Sequence, residues 1–397
     1  MSVSGLLEPD TITARNQEGL QITVTFARNE SGQRNLRGEG ANAPVFRARH
    51  EQLQKDIVVK SFRFSASEKE RIIKKSVKSV ESLYFLSSIF TRPDPNIMCF
   101  YGVVVHPSNS KAFSSKIEEV NRNAVFVTEA MSPTMFYMLY ELIDGRDLHD
   151  IIYDSPRDTD IDFRKYGLEL LKALNKLQKA PITLGGKTGT VAMVHLDIKP
   201  SNIMIERATD TLKIIDLNTV CIPWPGKGNS GCDRNSMTLE YTGPEATPGL
   251  FPEIFPPPPP TDRRTMLMAS DVFAVGLTLY EMIMKKTGIS ITTDIVPYNE
   301  YGWRDFFRKK VSSGEELELD FTPDKGKWAS LIQEMVKLDY AKRPSSKEVL
   351  ARFNEILAWE EGPGSVAVPV EKGGGKKPRK TVRKNRRTKS RRRNRIR

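Results

Sequence analysis

The stretch VHLDIKPSNIMIERATDTLKIIDLN, residues 194–218, sets Asp197, Lys199 and Asn202 within six positions and leaves Asp216 at the end of an apolar run. NIMI and LKII have the length and apolar content of two short buried strands, and ERATDT between them has the charge and Thr content of a hairpin turn. Folding that hairpin brings Asp216 back toward Asn202 and Asp197. Two carboxylates, an amide and an ammonium at one sheet edge make either a structural ion-pair knot or a site for a magnesium nucleotide. The stretch alone leaves both readings open.

Composition narrows the setting. A chain of 397 residues holds two or three average domains or one large bilobal enzyme, and either buries a sizeable core. Cys99, Cys221 and Cys232 are an odd number without metal-ligand spacing, so the expectation is free thiols, no zinc site and a reducing intracellular compartment. The first residues, MSVSGLLEPDTITARNQEG, are broken by acids, Pro and Gly too early for a signal-peptide core. No apolar run approaches the roughly 20 residues that span a bilayer, so a soluble chain without a membrane partner is expected.

The net charge of +12 is uneven: residues 371–397 carry 15 Lys or Arg against Glu371, a local +14, which leaves about −2 on residues 1–370. This tail opens on a Gly run and has almost nothing apolar to bury, so it is expected to be disordered when free. Its cations suit nucleic acid or another polyanion through residues 372–397, or a nuclear-import address, or simply solvation.

Along the body the texture changes once. LQITVTFA, PVFRAR and DIVVKSF, within residues 20–62, alternate as strands do, whereas residues 162–180 and 271–285 have helical periodicity. Residues 107–123, 181–191 and 246–268, the last with a PPPPP run, read as surface insertions, since Pro runs favour extended polyproline II. GEGANAPVF, residues 38–46, places Gly38 and Gly40 in a turn between strands, where backbone N–H groups can approach phosphates, although an ordinary hairpin turn gives the same pattern. IVVK ends in Lys60, a cation on a stiff strand, and the helical stretch after it offers Glu81, Glu70 and Glu68 as partners.

In that order the landmarks resemble the eukaryotic-type protein kinases of the Ser/Thr class over residues 34–358. HLDIKPSN is similar to the catalytic loop, DLN to the magnesium-binding DFG, MTLEYTGPE to GTxEYxAPE, and SDVFAVGLTLYEM, with Asp271 and Gly276, to the helix anchoring the large lobe. YMLYELIDGRDL resembles the hinge, with Tyr140 as gatekeeper, and KRPSSKEVL supplies Arg343. The fold so implied is α+β and bilobal. A small β-rich N-lobe runs to about residue 142 and a larger, mainly helical C-lobe from about 143. Residues 1–33 are set as an N-terminal extension and 359–397 as the basic tail.

The resemblance also implies roles, with ATP and Mg²⁺ as cofactors. Asp197 would take the substrate hydroxyl's proton and Lys199 would contact the transferred phosphate. Asn202 and Asp216 would hold Mg²⁺. Lys60 would grip the α- and β-phosphates and be oriented by Glu81, while Thr238 would tie the peptide-docking loop to Asp197 and Lys199. Gly38, Gly40, Val45, Glu141, Ile143 and Asp147 would line the nucleotide, Asp147 at the ribose. Glu245 and Arg343 read as a buried structural ion pair. Lys two positions after the catalytic Asp is the Ser/Thr pattern, so the implied partners are protein substrates presenting Ser or Thr to a monomeric enzyme.

Four departures stand against this. Leu196 replaces the Arg of HRD, which removes the cation that usually receives an activation-segment phosphate. Leu217-Asn218 replaces Phe-Gly, Ala43-Pro44 stiffens the phosphate lid, and Tyr140 is a bulky gatekeeper. Thr219, Ser230, Ser236 and Thr238 are the hydroxyls of the segment considered for phosphorylation. An active kinase is the favoured expectation. The alternatives are a pseudokinase scaffold, and a nucleic-acid binder acting through its tail.

Overall fold

Ile12, Ala14, Ile22, Val24 and Phe26 are buried while their neighbours face outward, the period of two that a half-covered strand requires. The computed structural model describes residues 9–40, 43–89, 94–113, 123–156, 160–184, 187–223, 232, 237–247, 263–296 and 300–361. In it these apolar positions belong to β1 (Thr11–Arg15) and β2 (Gln21–Phe26). There follow β3 (Leu36–Gly40), β4 (Ala43–His50), β5 (Lys55–Arg63) and helix α1 (Lys69–Ile89), then β6 (Phe100–Val105), β7 (Val125–Val127) and β8 (Met135–Glu141).

The eight strands order as β2-β1-β7-β6-β8-β5-β4-β3, and β2 also pairs with the second half of β4 through Val24↔His50 and Phe26↔Ala48. The sheet thereby closes on itself through β2 and β4, leaving β3, paired with β4 alone among the described strands, as its edge. Ile57 and Val59 of β5, and Tyr137 and Leu139 of β8, fill the interior with Ile12, Val24, Phe26 and Phe126. Residues 11–26 are thus part of this lobe's sheet, although the sequence sets the domain boundary at residue 34. Alternation puts Val58, Phe62, Met138 and Tyr140 on the other face, against α1 and the second lobe, and Lys60 shares that face.

The second lobe begins with β9 (Gly145–Asp147), followed by α2 (Phe163–Gln178), the hairpin β10 (Ala180–Leu184) and β11 (Lys187–Val191), and β12 (Ile203–Glu206) and β13 (Thr211–Ile214). Further along the chain come helices α3 (Arg263–Met284), α4 (Glu300–Ser313), α5 (Lys327–Met335) and α6 (Ser346–Glu361). Asp162 caps α2 by accepting from the Lys165 N–H, and Leu170, Leu171, Leu174 and Leu177 give the helix its buried face. Residues 181–191, expected as a surface insertion, pair with Ala180 as an antiparallel hairpin from Ala180↔Val191 to Leu184↔Lys187. The expected insertions at 114–122 and 248–262 fall outside the described residues, as does the tail from residue 362 onward.

Arg263–Thr287 is long and apolar enough to cross a membrane, contrary to the expectation that no run is, but 83% of its most apolar window is buried inside the protein. Two acids within it, Asp271 and Glu281, accept hydrogen bonds in the interior. It is a core helix, and Gly276 lets α5 approach: a Cβ there would lie 2.9 Å from Met335 Cβ and from Val336 Cγ1.

Cys221 and Cys232 form a disulfide with Cα atoms 5.3 Å apart, which corrects the expectation of free thiols. The pairing is tertiary in origin. Val194 and Cys221 exchange both backbone hydrogen bonds, and an apolar cluster of Val194, Leu196, Ala246, Met266 and Leu267 encloses both cysteines. With one pair and one thiol, the cysteine count no longer argues for a reducing compartment.

Candidate active site

The hairpin of the opening stretch forms as its pattern predicts, with Ile203 opposite Ile214 and Glu206 opposite Thr211. β9 adds to its other edge, Met204 opposite Asp147. A Cβ at Gly145 would lie 2.1 Å from the Ile205 carbonyl oxygen, so only glycine allows β9 this close. That packing sets Asp147 beside the catalytic loop, where its Oδ1 accepts from the Asp150 N–H at 2.7 Å.

The loop before β12 is held from below. Leu196 has a φ of 66°, a left-handed conformation that costs a branched residue roughly 1–2 kcal/mol. Asp271 of α3 offsets this by accepting from the N–H groups of both His195 (2.7 Å) and Leu196 (2.8 Å). Burial pushes the Asp271 carboxyl up to about 7, against the pull of those two N–H groups. His195 is fully buried, and burial lowers its pKa although Asp197 and Asp216 oppose the shift. Its ring contacts fit the neutral form, with Nε2 3.3 Å from the Ile215 carbonyl and Nδ1 accepting from the Asp197 N–H.

Above this base the polar residues converge. Asp197 Oδ1 accepts from the Thr238 N–H at 3.0 Å and from its hydroxyl at 2.6 Å. Oδ2 accepts from Asn202 Nδ2 at 2.7 Å and lies 3.4 Å from Lys199 Nζ. Lys199 in turn donates to the Thr238 hydroxyl oxygen at 2.6 Å. The link from Thr238 to Asp197 and Lys199 that the resemblance implies is therefore present. With its Nδ2 turned to Asp197, Asn202 presents Oδ1 as its remaining donor atom.

Across the cleft, Gly38, Val45, Lys60 and Met138 lie in register on β3, β4, β5 and β8. Lys60 reaches Asp216 at 2.9 Å, with 9% and 36% of the two side chains exposed. Burial opposes ionisation of Asp216, but the Lys60 ammonium outweighs it by charge and hydrogen bond, and the carboxyl stays below its ordinary value. Asn202 and Asp216 together offer the hard oxygen donors that Mg²⁺ takes.

Two further expected site residues are Glu81 and Glu141. Lys60, which Glu81 was expected to orient, pairs with Asp216. The α1 residue that reaches this region is Ser79, whose hydroxyl donates to the Asn218 carbonyl. At about 100° per residue, a side chain two positions on projects from nearly the opposite face, and Glu81 is half-buried there. Ser76 and Ser82, three residues to either side of Ser79, are buried with it. Ser76, Ser79 and Ser82 thus form a buried serine stripe at i, i+3 and i+6 along α1. The Glu141 carboxylate is taken by Lys213 (2.6 Å) and the Cys99 N–H (3.1 Å), and its own N–H donates to the Cys99 carbonyl at 3.0 Å. Ile143 is buried at the hinge.

A strand-borne lysine, a hinge and a catalytic loop arranged in this order are matched by the family model of the protein kinase domain over residues 33–353. The chain belongs to the protein kinase family. Its kinase domain is 26% identical over 147 residues to the serine/threonine-protein kinase mos of Patiria pectinifera, covering 36% of this chain and 35% of that protein. It is 23% identical over 267 residues to a probable serine/threonine-protein kinase of Clostridium perfringens, covering 66% and 28%. Over 219 residues it is 26% identical to a putative mitogen-activated protein kinase kinase kinase 7-like protein of Drosophila melanogaster, covering 54% and 47%. The match spans less than half the length of each of these relatives.

Within the kinase domain, Leu196 does not face a vacant phosphate site: it packs with Cys221, Cys232, Met266 and Leu267. Of the activation-segment hydroxyls, Thr238 is engaged by Asp197 and Lys199, and the Thr219 hydroxyl is buried without a hydrogen-bond partner. Ser230 and Ser236 lie outside the described residues.

Proposed function

We propose that this protein is a Mg-ATP-dependent protein serine/threonine kinase. The observation that carries the reading is Asp197, its carboxylate fixed by Thr238 and Asn202 with the Lys199 ammonium 3.4 Å away. Phosphoryl transfer asks for positioning and charge neutralisation more than covalent chemistry. Asp197 orients the substrate hydroxyl and accepts its proton late in the transfer. Lys199 meets the charge on the transferred phosphoryl group, and Thr238 keeps the acid and the cation together. Lys60 exchanges part of its contact with Asp216 for the phosphates of the nucleotide. Asn202 and Asp216 would hold Mg²⁺, which when bound neutralises phosphate charge. The Ser/Thr preference rests on Lys199 and its bond to Thr238. Incubation of the purified protein with Mg²⁺ and labelled ATP, alone and with Ser/Thr peptide mixtures, tests this directly. Label on the protein or the peptides supports an enzyme; none on either, with folded protein, leaves a scaffold.

Because an apolar cluster holds the segment beside Leu196, an anchoring phosphate is superfluous there. Phosphatase-treated protein is therefore expected to keep its activity within about tenfold. A larger drop, restored by rephosphorylation, would mean another cation serves as anchor.

We further propose that residues 372–397 bind polyanions without base preference and serve as a nuclear-import address. If about six cations meet phosphates, log affinity for duplex DNA should fall against log salt with a slope of roughly −5. A chain ending at Gly362 should lose that binding and its nuclear enrichment but keep activity on a neutral peptide. DNA binding unchanged by the truncation would move the site into the lobes.

A further inference from the structure

Asp216 has a φ of 53° and a ψ of 58°, a left-handed backbone that aspartate enters more readily than most residues, and here its surroundings hold it. Three elements do so through one residue, Asn218. Its side-chain Oδ1 accepts the Tyr140 hydroxyl of β8 at 2.8 Å. Its Nδ2 donates to Asp216 Oδ1, the oxygen that Lys60 also contacts, and its main-chain oxygen takes the Ser79 hydroxyl of α1. Leu217 between them is buried in the core shared by the two lobes.

We propose that Tyr140 and Asn218 act as one pair of positioning residues that holds the Asp216 carboxylate for metal binding. Each residue type is needed for a stated reason. The amide at 218 accepts from the phenol through its oxygen and donates to the carboxylate through its nitrogen; glycine lacks both groups and ionised aspartate lacks the donor. Only tyrosine at 140 carries a donor across the cleft from a strand position whose body is buried. Burial, with the charge of Asp216 adding to it, raises the Tyr140 phenol and keeps it protonated, so its single proton is available. Met138 sulfur, 3.7 Å away, is the weaker acceptor. Two departures from the family pattern, the bulky gatekeeper and the altered glycine position, therefore compensate each other across 78 residues of sequence.

The inference rests on the kinase reading, and its test separates the two. Binding of a fluorescent ATP analogue to the full chain is titrated with Mg²⁺ for the parent, Tyr140→Phe, Asn218→Gly and the double variant. Tyr140→Phe removes one oxygen atom and leaves the packing. It should raise the Mg²⁺ concentration for half-saturation about three- to tenfold, the value of one hydrogen bond, with Mg²⁺-free nucleotide affinity unchanged. Asn218→Gly should raise it at least as much. The double variant should be no worse than Asn218→Gly alone, since the hydroxyl then has no partner to position. A role in folding alone would lower the melting temperature without moving the Mg²⁺ midpoint, and that result would overturn the proposal. Effects that multiply in the double variant would overturn the pairing. Absence of Mg²⁺-dependent binding by the parent would overturn the nucleotide site itself, whereas parental binding with identical midpoints in every variant would overturn only the positioning role of Tyr140 and Asn218.

Discussion

Asp197→Asn is expected to lower phosphoryl transfer by about 10² or more while nucleotide affinity stays within about threefold. The substitution keeps the side chain's shape and removes the acceptor for the substrate proton. It also sets one N–H₂ group against existing donors. If its oxygen stays toward the Thr238 N–H, its nitrogen meets Asn202 Nδ2, which now donates to Asp197 Oδ2 at 2.7 Å. Turned the other way, it meets the Thr238 N–H, 3.0 Å from Oδ1. Either orientation leaves one buried donor poorly paired, so a stability loss of about 1–3 kcal/mol accompanies the kinetic one. Rates are therefore compared well below the melting transition, and nucleotide binding is measured on the same preparation. Transfer by Asp197→Asn at the parent's rate would remove Asp197 from the catalytic role. Equal losses in transfer and in nucleotide affinity would point to a collapsed cleft.

The catalytic loop was legible because its contacts are nearly local. Asp197, Lys199 and Asn202 share one turn of chain, and the period-two pattern of β12 and β13 fixes where Asp216 returns. Lys60 was legible for a related reason, since alternation along IVVK sends Val59 into the barrel and Lys60 to the cleft. The phase of α1 was not, because the rotation of a helix against a sheet is set by packing. Among the described side chains of α1, Ile73, Val80 and Leu83 are the buried apolar ones, and Ser79 reaches the Asn218 carbonyl. The closure of the sheet by β1 and β2 was half legible: the alternation of TITAR and QITVTF marks strands, but nothing in it names β4 and β7 as partners. The Cys221–Cys232 pair spans 11 residues and depends on an apolar cluster drawn from residues 194–267. The resemblance that found the gatekeeper and the DLN turn separately could not show that they bond, because family patterns align positions and do not carry contacts.

The pair of Glu245 and Arg343 gives the largest expected effect on stability. Both side chains are fully buried, with Nη1 2.6 Å from Oε1 and Nη2 2.9 Å from Oε2. The guanidinium also donates to the carbonyls of Lys337 (2.6 Å), Ala269 (3.1 Å) and Leu338 (3.3 Å), and its carbon lies 4.8 Å from the Phe273 ring centroid. Removal of either partner strands a charge where water cannot reach it. Arg343→Met is accordingly expected to cost about 3–5 kcal/mol, or more than 10² in the folding equilibrium at 1.4 kcal/mol per decade. Arg343→Lys should recover little, since one ammonium cannot replace a planar fork with five donors. The double variant Glu245→Leu/Arg343→Met leaves no charge behind, so its cost should be smaller than that of Arg343→Met alone. High salt should leave the losses unchanged, because screening acts on exposed charges and both groups here are enclosed. Urea titration of the full chain, followed by far-UV circular dichroism, measures all of these. A loss below about 1 kcal/mol for Arg343→Met, the range of an exposed pair, would mean that the junction between the activation segment and α3 does not depend on the pair. A double variant as unstable as the sum of the single ones would place the cost in lost packing and carbonyl contacts rather than in a stranded charge.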